Sequence, residues 1–388
     1  MRVLFSSTPA YGHLLPLLPL ARALQSRGHE VAVLSAETMS PILAPEGIEL
    51  LPAGPSMDVV LAETGRRTGS DPTQPVPDRV AELFGRVRID LGADEALVLA
   101  QKWQPDLVVS EWVDFVGPLV ASAFDIPLAR LAFGPAFPPE FTQALAEAVA
   151  ERFAARGLTP RPADWLLDIC PPAMQVDGWQ RAPGRLALRP EAHRQPWEDA
   201  SQEPDRREPS GRRRVLVSFG TIFTAPEVLG PILRELSAAD LDLVATTGLA
   251  NSAEDYGVDQ DRVCFVAFTA LDCLLDGVDL VVTHGGAGTT FGTLAAGIPL
   301  VIVPQAADQF LQAERVVAAD AGVAVLPDTA TPRAVADAVA AVLTDPSFRA
   351  GARAVAAEIA ARPTPDEVAA RLEIELAVTR PGSASSTS

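Results

Sequence analysis

Four places in this 388-residue chain set polar residues at the ends of short apolar runs. Asp279-Leu-Val-Val-Thr283 passes directly into His284-Gly-Gly-Ala-Gly-Thr289, which is the pattern of a strand entering a glycine-rich turn that opens a helix. Glycines there let backbone N–H groups approach a ligand closely, and a helix N-terminus carries roughly half a positive charge, so the turn suits a phosphate or diphosphate. Taken alone, the same glycines would also serve a turn that only solves packing. His13, Glu111 and Phe219-Gly-Thr221 occupy the same kind of position, after the apolar runs of residues 2–7, 106–110 and 215–218. Ligands of an open parallel sheet bind outside the carboxyl ends of its strands. If two such sheets face each other, all four places line one cleft.

His13 and Glu111 have the types needed for a base and its support. Neutral imidazole, with a pKa of about 6.5, takes a proton from a hydroxyl near neutral pH, and a carboxylate holds its tautomer and stabilises the imidazolium. The plainer alternative has His13 capping the helix that follows it and Glu111 solvated. His29, at a helix-to-strand turn, and His193, in polar loop sequence, read as surface residues. Other templates fail. There is no G-x-x-x-x-G-K-S/T, residues 285–288 do not fit G-x-G-x-x-G, no G-x-S-x-G occurs, and no His, Cys and carboxylate cluster has metal-ligand spacing.

The elements that position these residues form two series. Strand signals recur over residues 2–7, 30–35, 48–52, 106–110 and 127–131, with helical spacing over 14–26, 78–103, 115–124 and 141–156. After a polar stretch at residues 195–214 the alternation restarts, with strands over 215–218, 241–246, 263–265, 279–283, 300–303 and 323–326. Helices are expected over 226–237, 289–296, 309–320, 331–343, 346–362 and 365–378. This predicts two α/β halves, each a parallel sheet covered on both faces. Residues 54–77, rich in Gly, Pro, Asp, Ser and Thr, read as a mobile loop. That segment, residues 133–141 and residues 165–179 are the expected loop walls of a hydrophobic acceptor pocket.

Composition narrows the partners. A net charge of −19 argues against nucleic acid or an anionic membrane surface. No apolar run of about 18 residues is present, and Pro16 and Pro19 break the signal-like start, so the expectation is a cytoplasmic protein. Cys170, Cys264 and Cys273 are odd in number and lack CxxC spacing, which indicates neither a disulfide framework nor a zinc site. Lys102 is the only lysine among 31 Lys and Arg residues, so no lysine lies near a glycine loop for phosphoryl transfer.

On these residues the chain resembles the GT-B glycosyltransferases of family 1, and among them the bacterial enzymes that attach deoxysugars to macrolides, aromatic polyketides and similar natural products. The similarity spans nearly the whole chain. Gly12-His-Leu-Leu-Pro16 resembles the catalytic-histidine loop and implies His13 as the base that deprotonates the acceptor. Residues 105–111 are similar to the segment ending in the supporting carboxylate, which implies Glu111 or, as a substitute, Asp114. Val217-Ser-Phe-Gly-Thr221 resembles the first diphosphate-binding turn, implying Ser218, Gly220 and Thr221, with Gly12 across the cleft. Residues 284–289 resemble the second, implying His284, Gly286, Ala287, Gly288 and Thr289. Pro304-Gln-Ala-Ala-Asp-Gln309 is similar to the sugar-binding motif and implies Asp308 and Gln309 on donor sugar hydroxyls.

Residues 266–271 stand where the nucleobase is held, implying Phe268 and Thr269, although Thr269 replaces a usual proline, and Gln312 replaces a usual asparagine. Gly292 stands where plant relatives that use UDP-sugars have a glutamate for the ribose hydroxyls, which implies a TDP-sugar over a UDP-sugar. The resemblance implies an α/β GT-B architecture of two Rossmann-like, doubly wound domains facing across a cleft. Residues 1–195 would bind the acceptor, 196–213 would link, 214–362 would bind the nucleotide sugar, 363–380 would form a terminal helix packing back on the first domain, and 381–388 would be disordered. The implied activity is metal-independent, inverting transfer of a deoxysugar to a hydroxyl of a hydrophobic aglycone. No cofactor beyond the donor co-substrate is implied, and the protein would be a monomer or homodimer. A C-glycosyltransferase, a nucleotide-sugar epimerase and a non-catalytic activator that binds sugar nucleotide are the alternatives.

Overall fold

The computed structural model describes residues 1–180, 184–192, 211–221, 223–249, 251–267 and 269–379. Phe268, His193, residues 381–388 and most of the polar stretch before residue 211 lie outside the described residues. The first sheet holds β1 (Arg2–Ser6), β2 (Glu30–Ser35), β3 (Glu49–Pro52), β4 (Leu107–Glu111), β5 (Leu128–Ala132), β6 (Trp165–Asp168) and β7 (Arg185–Ala187). Their order is β3-β2-β1-β4-β5-β6-β7, and every pair is parallel. The second sheet holds β8 (Arg213–Ser218), β9 (Leu241–Thr246), β10 (Val263–Val266), β11 (Leu280–Thr283), β12 (Leu300–Ile302) and β13 (Gly322–Ala324), in the order β10-β9-β8-β11-β12-β13, again all parallel.

The central strands are covered on both faces. Val3, Leu4 and Phe5 of β1 are buried in succession, as are Leu280, Val281 and Val282 of β11, so these strands read in the sequence as unbroken apolar runs. In each sheet the chain reverses its direction of winding between two neighbours, β1 and β4 in the first and β8 and β11 in the second. Crevices open at such switch points. His13 follows β1, Glu111 ends β4, residues 219–221 follow β8 and His284 follows β11.

The two sheets share one apolar core, in which Phe5, Leu17, Met174 and Leu188 join Val281, Phe291, Val355 and Ile359. Arg315 ties the halves by donating from Nη1 to the Gln175 carbonyl at 3.0 Å, and Arg362 Nε donates to the Leu188 carbonyl at 3.0 Å. The terminal helix Pro365–Thr379 follows the elements of the second sheet but packs on helix Leu18–Ser26 beside the first. Val368, Ala369, Leu372 and Leu376 bury that face, and Glu373 pairs with Arg27 at 2.7 Å and with His29 at 2.6 Å. His29 is therefore part of this clasp and not an ordinary surface residue. Among the described residues no helix is long and apolar enough to cross a membrane.

Several segments differ from the sequence expectation. Residues 54–77 are not simply a loop, because Met57–Thr68 is a helix with Val60 and Thr64 buried, ended by Gly69 at φ +64°. Gly and Pro at both ends of the segment masked its three-four spacing. Trp165–Asp168, expected in a loop wall, is strand β6, hydrogen-bonded between β5 and β7. Its run is only four residues long and Pro171 and Pro172 follow closely. The expected helix over 78–103 forms as Pro77–Val80, a π-helical stretch Ala81–Val87 and helix Arg88–Trp103.

Candidate active site

His13 lies in the one-turn helix Tyr11–Leu14, which Ala10 enters in extended conformation before Pro16 starts the next turn. Its Nδ1 is 3.1 Å from Oε1 of Glu111; the histidine side chain is 20% exposed and the glutamate 0%. The Val113 N–H donates to the other carboxylate oxygen at 2.6 Å, and the Thr8 N–H donates to Oε1 at 3.3 Å. Glu111 is thus a held, desolvated group and not a solvated one. Burial works against charge on His13, but the Glu111 carboxylate and its hydrogen bond, with Asp308 and Asp114, outweigh it and raise the imidazole above 6.5. Burial pushes Glu111 up, yet His13 and the Val113 and Thr8 N–H groups bring it below its ordinary range. With Nδ1–H assigned to the carboxylate, Nε2 is the basic nitrogen of the neutral ring.

Asp114 does not reach His13. Its Oδ2 accepts from Ser6 Oγ at 2.6 Å and from the Gly117 N–H at 3.0 Å. Strand register explains the division: Ser6 of β1 pairs with Ser110 of β4, which sets Glu111 beside residues 7–8 and turns Asp114 back onto Ser6. The turn that carries both acids is fastened by Arg130, whose Nη2 donates to the carbonyls of Trp112, Glu111 and Asp114 while the guanidinium lies 4.7 Å from the Phe115 ring centroid.

The second pair of switch-point loops meets on His284. Gly285 has φ +91°, and a Cβ there would sit 2.7 Å from Ile302 Cγ2. A Cβ on Gly286 would sit 2.5 Å from His284 Nε2, and one on Gly220, at φ +70°, 2.9 Å from His284 Cε1. Both glycine turns are therefore shaped around one imidazole. Phe219 and Phe223 flank it at 6.1 and 5.5 Å, and its exposure is 8%. Burial lowers its pKa to about 4 against a hydrogen bond with the Ser218 backbone, so the ring is neutral at physiological pH. Helix Ala287–Ala295 starts two residues earlier than the expected 289, with Gly286 as its N-cap. Ala287, Gly288 and Thr289 form its first turn, whose N–H groups a helix cannot satisfy internally.

One cleft of about 340 Å³ gathers these groups. From the first half come Tyr11, Gly12, His13 and Phe84, and from the second Ser218, Gly220, Thr221, Thr269, His284, Gly286, Ala287, Gly288, Thr289, Asp308 and Gln309. Glu111 stands behind His13 and does not line it. Gln309, expected on a sugar hydroxyl, spends its Oε1 on the N–H groups of Gln305 at 2.7 Å and Ala306 at 3.0 Å. Asp308 carries a carboxyl that burial raises, opposed by Gln312, whose Nε2 is 3.4 Å from Oδ2, and by the charge of His13. Among the described residues no group of three or more His, Cys, Asp and Glu is placed to hold a metal ion.

Family profiles match this architecture in two parts. The Erythromycin biosynthesis protein CIII-like N-terminal domain matches residues 22–220, and the C-terminal domain of the same description matches residues 231–376. The chain belongs to this family of glycosyltransferases. The glycosyltransferase is 31% identical to L-demethylnoviosyl transferase of Streptomyces niveus over 97% of its own length and 98% of that protein. It is also 31% identical to elloramycin glycosyltransferase of Streptomyces olivaceus, over 96% and 97% of the two chains. The crystal structure of the Streptomyces sp. SF2575 glycosyltransferase SsfS6 complexed with thymidine diphosphate superposes with a TM-score of 0.81 at 30% identity, covering 96% of this chain and 99% of that one. The two-sheet fold is GT-B.

Leu83 and Phe84 in the cleft of the glycosyltransferase escaped the sequence reading, whereas Met57, Leu61 and Phe133 fall in the expected pocket walls of residues 54–77 and 133–141. Leu83 and Phe84 come from the π-helical stretch and Met57 and Leu61 from the helix hidden in residues 54–77, and together with Phe133 they make the first-half end of the cleft apolar. Phe84 and Phe133 flank the His13 ring at 5.6 and 5.4 Å. The signal that would have placed Met57 and Leu61 on a helix is their four-residue spacing. For the π stretch no such signal exists. On the opposite side, a Cβ at Gly292 would lie 2.6 Å from Leu271 Cδ2, so an aliphatic side chain closes over the position where a glutamate would start.

Proposed function

We propose that this glycosyltransferase moves a deoxysugar from a thymidine diphosphate sugar to a hydroxyl of a hydrophobic natural-product aglycone, with inversion at the anomeric carbon. The observation that carries the proposal is the shared cleft: a histidine held by a buried carboxylate faces the same space as a helix N-terminus and a neutral imidazole. The acceptor hydroxyl gives its proton to His13 Nε2 as its oxygen bonds to the anomeric carbon. The bond from that carbon to the diphosphate oxygen breaks, and its electron pair leaves with the diphosphate. Glu111 stabilises the imidazolium that forms. The first-turn N–H groups of helix Ala287–Ala295 and the ring of His284 hydrogen-bond the growing charge, a contribution of about 3 kcal/mol for one well-placed donor. The diphosphate side of the cleft offers neutral donors, which suit an anion and give a cation little to bind. Asp308 is the carboxylate we assign to the donor sugar; Gln309 holds the loop that presents it.

Thymidine over uridine is supported by Leu271 packed over Gly292, which leaves an apolar surface in place of a ribose-binding carboxylate, and by the thymidine diphosphate in the SsfS6 structure. The apolar end built by Met57, Leu61, Leu83, Phe84 and Phe133 supports a hydrophobic acceptor. We place the enzyme in the cytoplasm, in keeping with three cysteines that stand as thiols. The test is donor consumption with and without an aromatic polyketide aglycone, using paired TDP- and UDP-sugars. The expected result is consumption that requires the aglycone and favours the TDP donor by about tenfold or more, a difference of about 1.4 kcal/mol. Donor isomerised in the absence of aglycone would establish an epimerase instead, and binding without consumption in either arm would establish a non-catalytic protein.

A further inference from the structure

Behind the His13–Glu111 pair lies a second buried ion pair that the transfer steps do not use. Arg88 and Asp114 are both 0% exposed, with Arg88 Nε 3.8 Å from Asp114 Oδ1. The guanidinium is wedged against two backbone positions: a Cβ on Gly92 would collide with Nη1, and one on Gly54 would come within 2.8 Å of it. Its Nη1 and Nη2 reach only the carbonyls of Ala53 at 3.4 Å and Ser7 at 3.5 Å. Among the described residues neither Arg88 Nε nor Asp114 Oδ1 has a hydrogen-bond partner, so the two groups interact through their charges. Stability does not account for such a pair, since well-packed apolar residues of similar volume are often equal or better.

Its position does account for it. Asp114 stands three residues after Glu111, tied to Ser6 and Gly117, and its charge acts on both His13 and Glu111. Burial, helped by the Glu111 charge, raises the Asp114 carboxyl above its ordinary range, and Arg88 is the largest influence against that rise. The charged and titratable groups around His13 are Glu111 and Asp114 on one turn, Asp308 from the second domain, Arg88 and Arg130 behind the acids, Tyr11 on its own helix, and Arg189, Glu191 and His284 on the cleft walls.

We propose that Arg88 and Asp114 are positioning residues for sugar transfer: Arg88, paired with Asp114 behind the base, favours its carboxylate form, and that negative charge beside Glu111 stabilises protonated His13 as the acceptor hydroxyl is deprotonated. The inference rests on His13 being the base. Asp114→Asn keeps an acceptor for Ser6 and Gly117 but removes the negative charge and leaves Arg88 uncompensated. Both changes lower the proton affinity of His13. The acid limb of kcat/KM against pH is expected to move to lower pH by about half a unit or more. The double variant Arg88→Met/Asp114→Asn also removes the uncompensated guanidinium, and its limb is expected between those of Asp114→Asn and the wild type, because the Asp114 charge is still absent.

A merely structural role would lower kcat at every pH without moving the limb, and an unmoved limb in Asp114→Asn, or a double variant restored fully to the wild-type limb, would overturn the proposal. Arg88→Met gives an independent measurement. With 13C-labelled aspartate, the Asp114 carboxyl is expected to titrate at higher pH than in the wild type, and an unchanged titration would overturn the proposal too. His13→Ala separates the two levels. If that variant keeps its turnover, the base assignment fails, whereas an inactive His13→Ala beside an unmoved Asp114→Asn limb refutes only the role of the buried pair.

Discussion

Replacing His13 with alanine is expected to lower sugar transfer by about 10²–10⁴-fold while the protein still binds thymidine diphosphate. The expectation follows from a division of labour in the cleft. His13 reaches the reacting hydroxyl from the first half of the chain, whereas the groups suited to the diphosphate belong almost wholly to the second. The loss has a pH signature. The base must be neutral to accept a proton, and Glu111, Asp308 and Asp114 raise His13 above 6.5 despite its burial. In the wild type kcat/KM therefore climbs as pH rises through that raised value and then levels. In His13→Ala the climb disappears, so the ratio of the two enzymes grows toward alkaline pH. Initial rates of thymidine diphosphate release across pH, paired with calorimetric nucleotide titrations, check both parts. A variant that retained the wild-type rate would remove His13 from the chemistry.

Why Glu111 and not Asp114 pairs with this base was hidden from the sequence by a single register. Either acid follows the apolar run of β4 closely enough to serve. Only the pairing of Ser6 with Ser110 assigns one to the imidazole and the other to Ser6. The strands that read clearly, Glu30–Ser35 and Leu280–Thr283, carry unbroken apolar runs from Val31 to Leu34 and from Leu280 to Val282, as strands of a covered parallel sheet must. Arg185–Ala187 could not be read in this way, being three residues long and led by an arginine that pairs with Asp168. The helix Met57–Thr68 was obscured by glycine and proline at its borders, so its segment read as a pocket wall but not as the helix that sets Met57 and Leu61 in the apolar end of the cleft.

The glycine turn was legible as an anion site, but its reason was not. Sequence attributes Gly220 and Gly286 to the approach of a ligand, and the structure shows that both also clear space for the ring of His284. Gln309 teaches the converse lesson. A motif places it on the sugar, while its side-chain oxygen is bound to the backbone of residues 305 and 306.

Replacing His284 with alanine is expected to weaken donor binding and to lower kcat/KM by about 10²–10³-fold, the range for loss of one donor to a developing oxyanion. The two histidines of the cleft are opposites. Carboxylates raise His13, whereas His284 meets no acid among the described residues: its neighbours include Phe219, Phe223 and Thr283, and burial takes its pKa to about 4. In the ligand-free enzyme the ring is therefore neutral across the working range, with one N–H that pairs with the Ser218 carbonyl, and we expect it to turn that N–H to the arriving diphosphate as a hydrogen bond without a preformed positive charge. The sign of the pH dependence follows. Because His284 does not titrate between about pH 6 and 9, the ratio of wild-type to variant kcat/KM stays flat across that range, unlike the rising ratio for His13. A counter-ion imidazolium would give a loss that deepens as pH falls. Gly286→Ala supplies a second route to the same defect, since the added Cβ would lie 2.5 Å from Nε2 and must displace the ring. Both variants should keep the pH profile that His13 imposes while losing affinity for the nucleotide sugar. A His284→Ala protein whose deficit grew in acid would show instead that the cradle holds the diphosphate by charge.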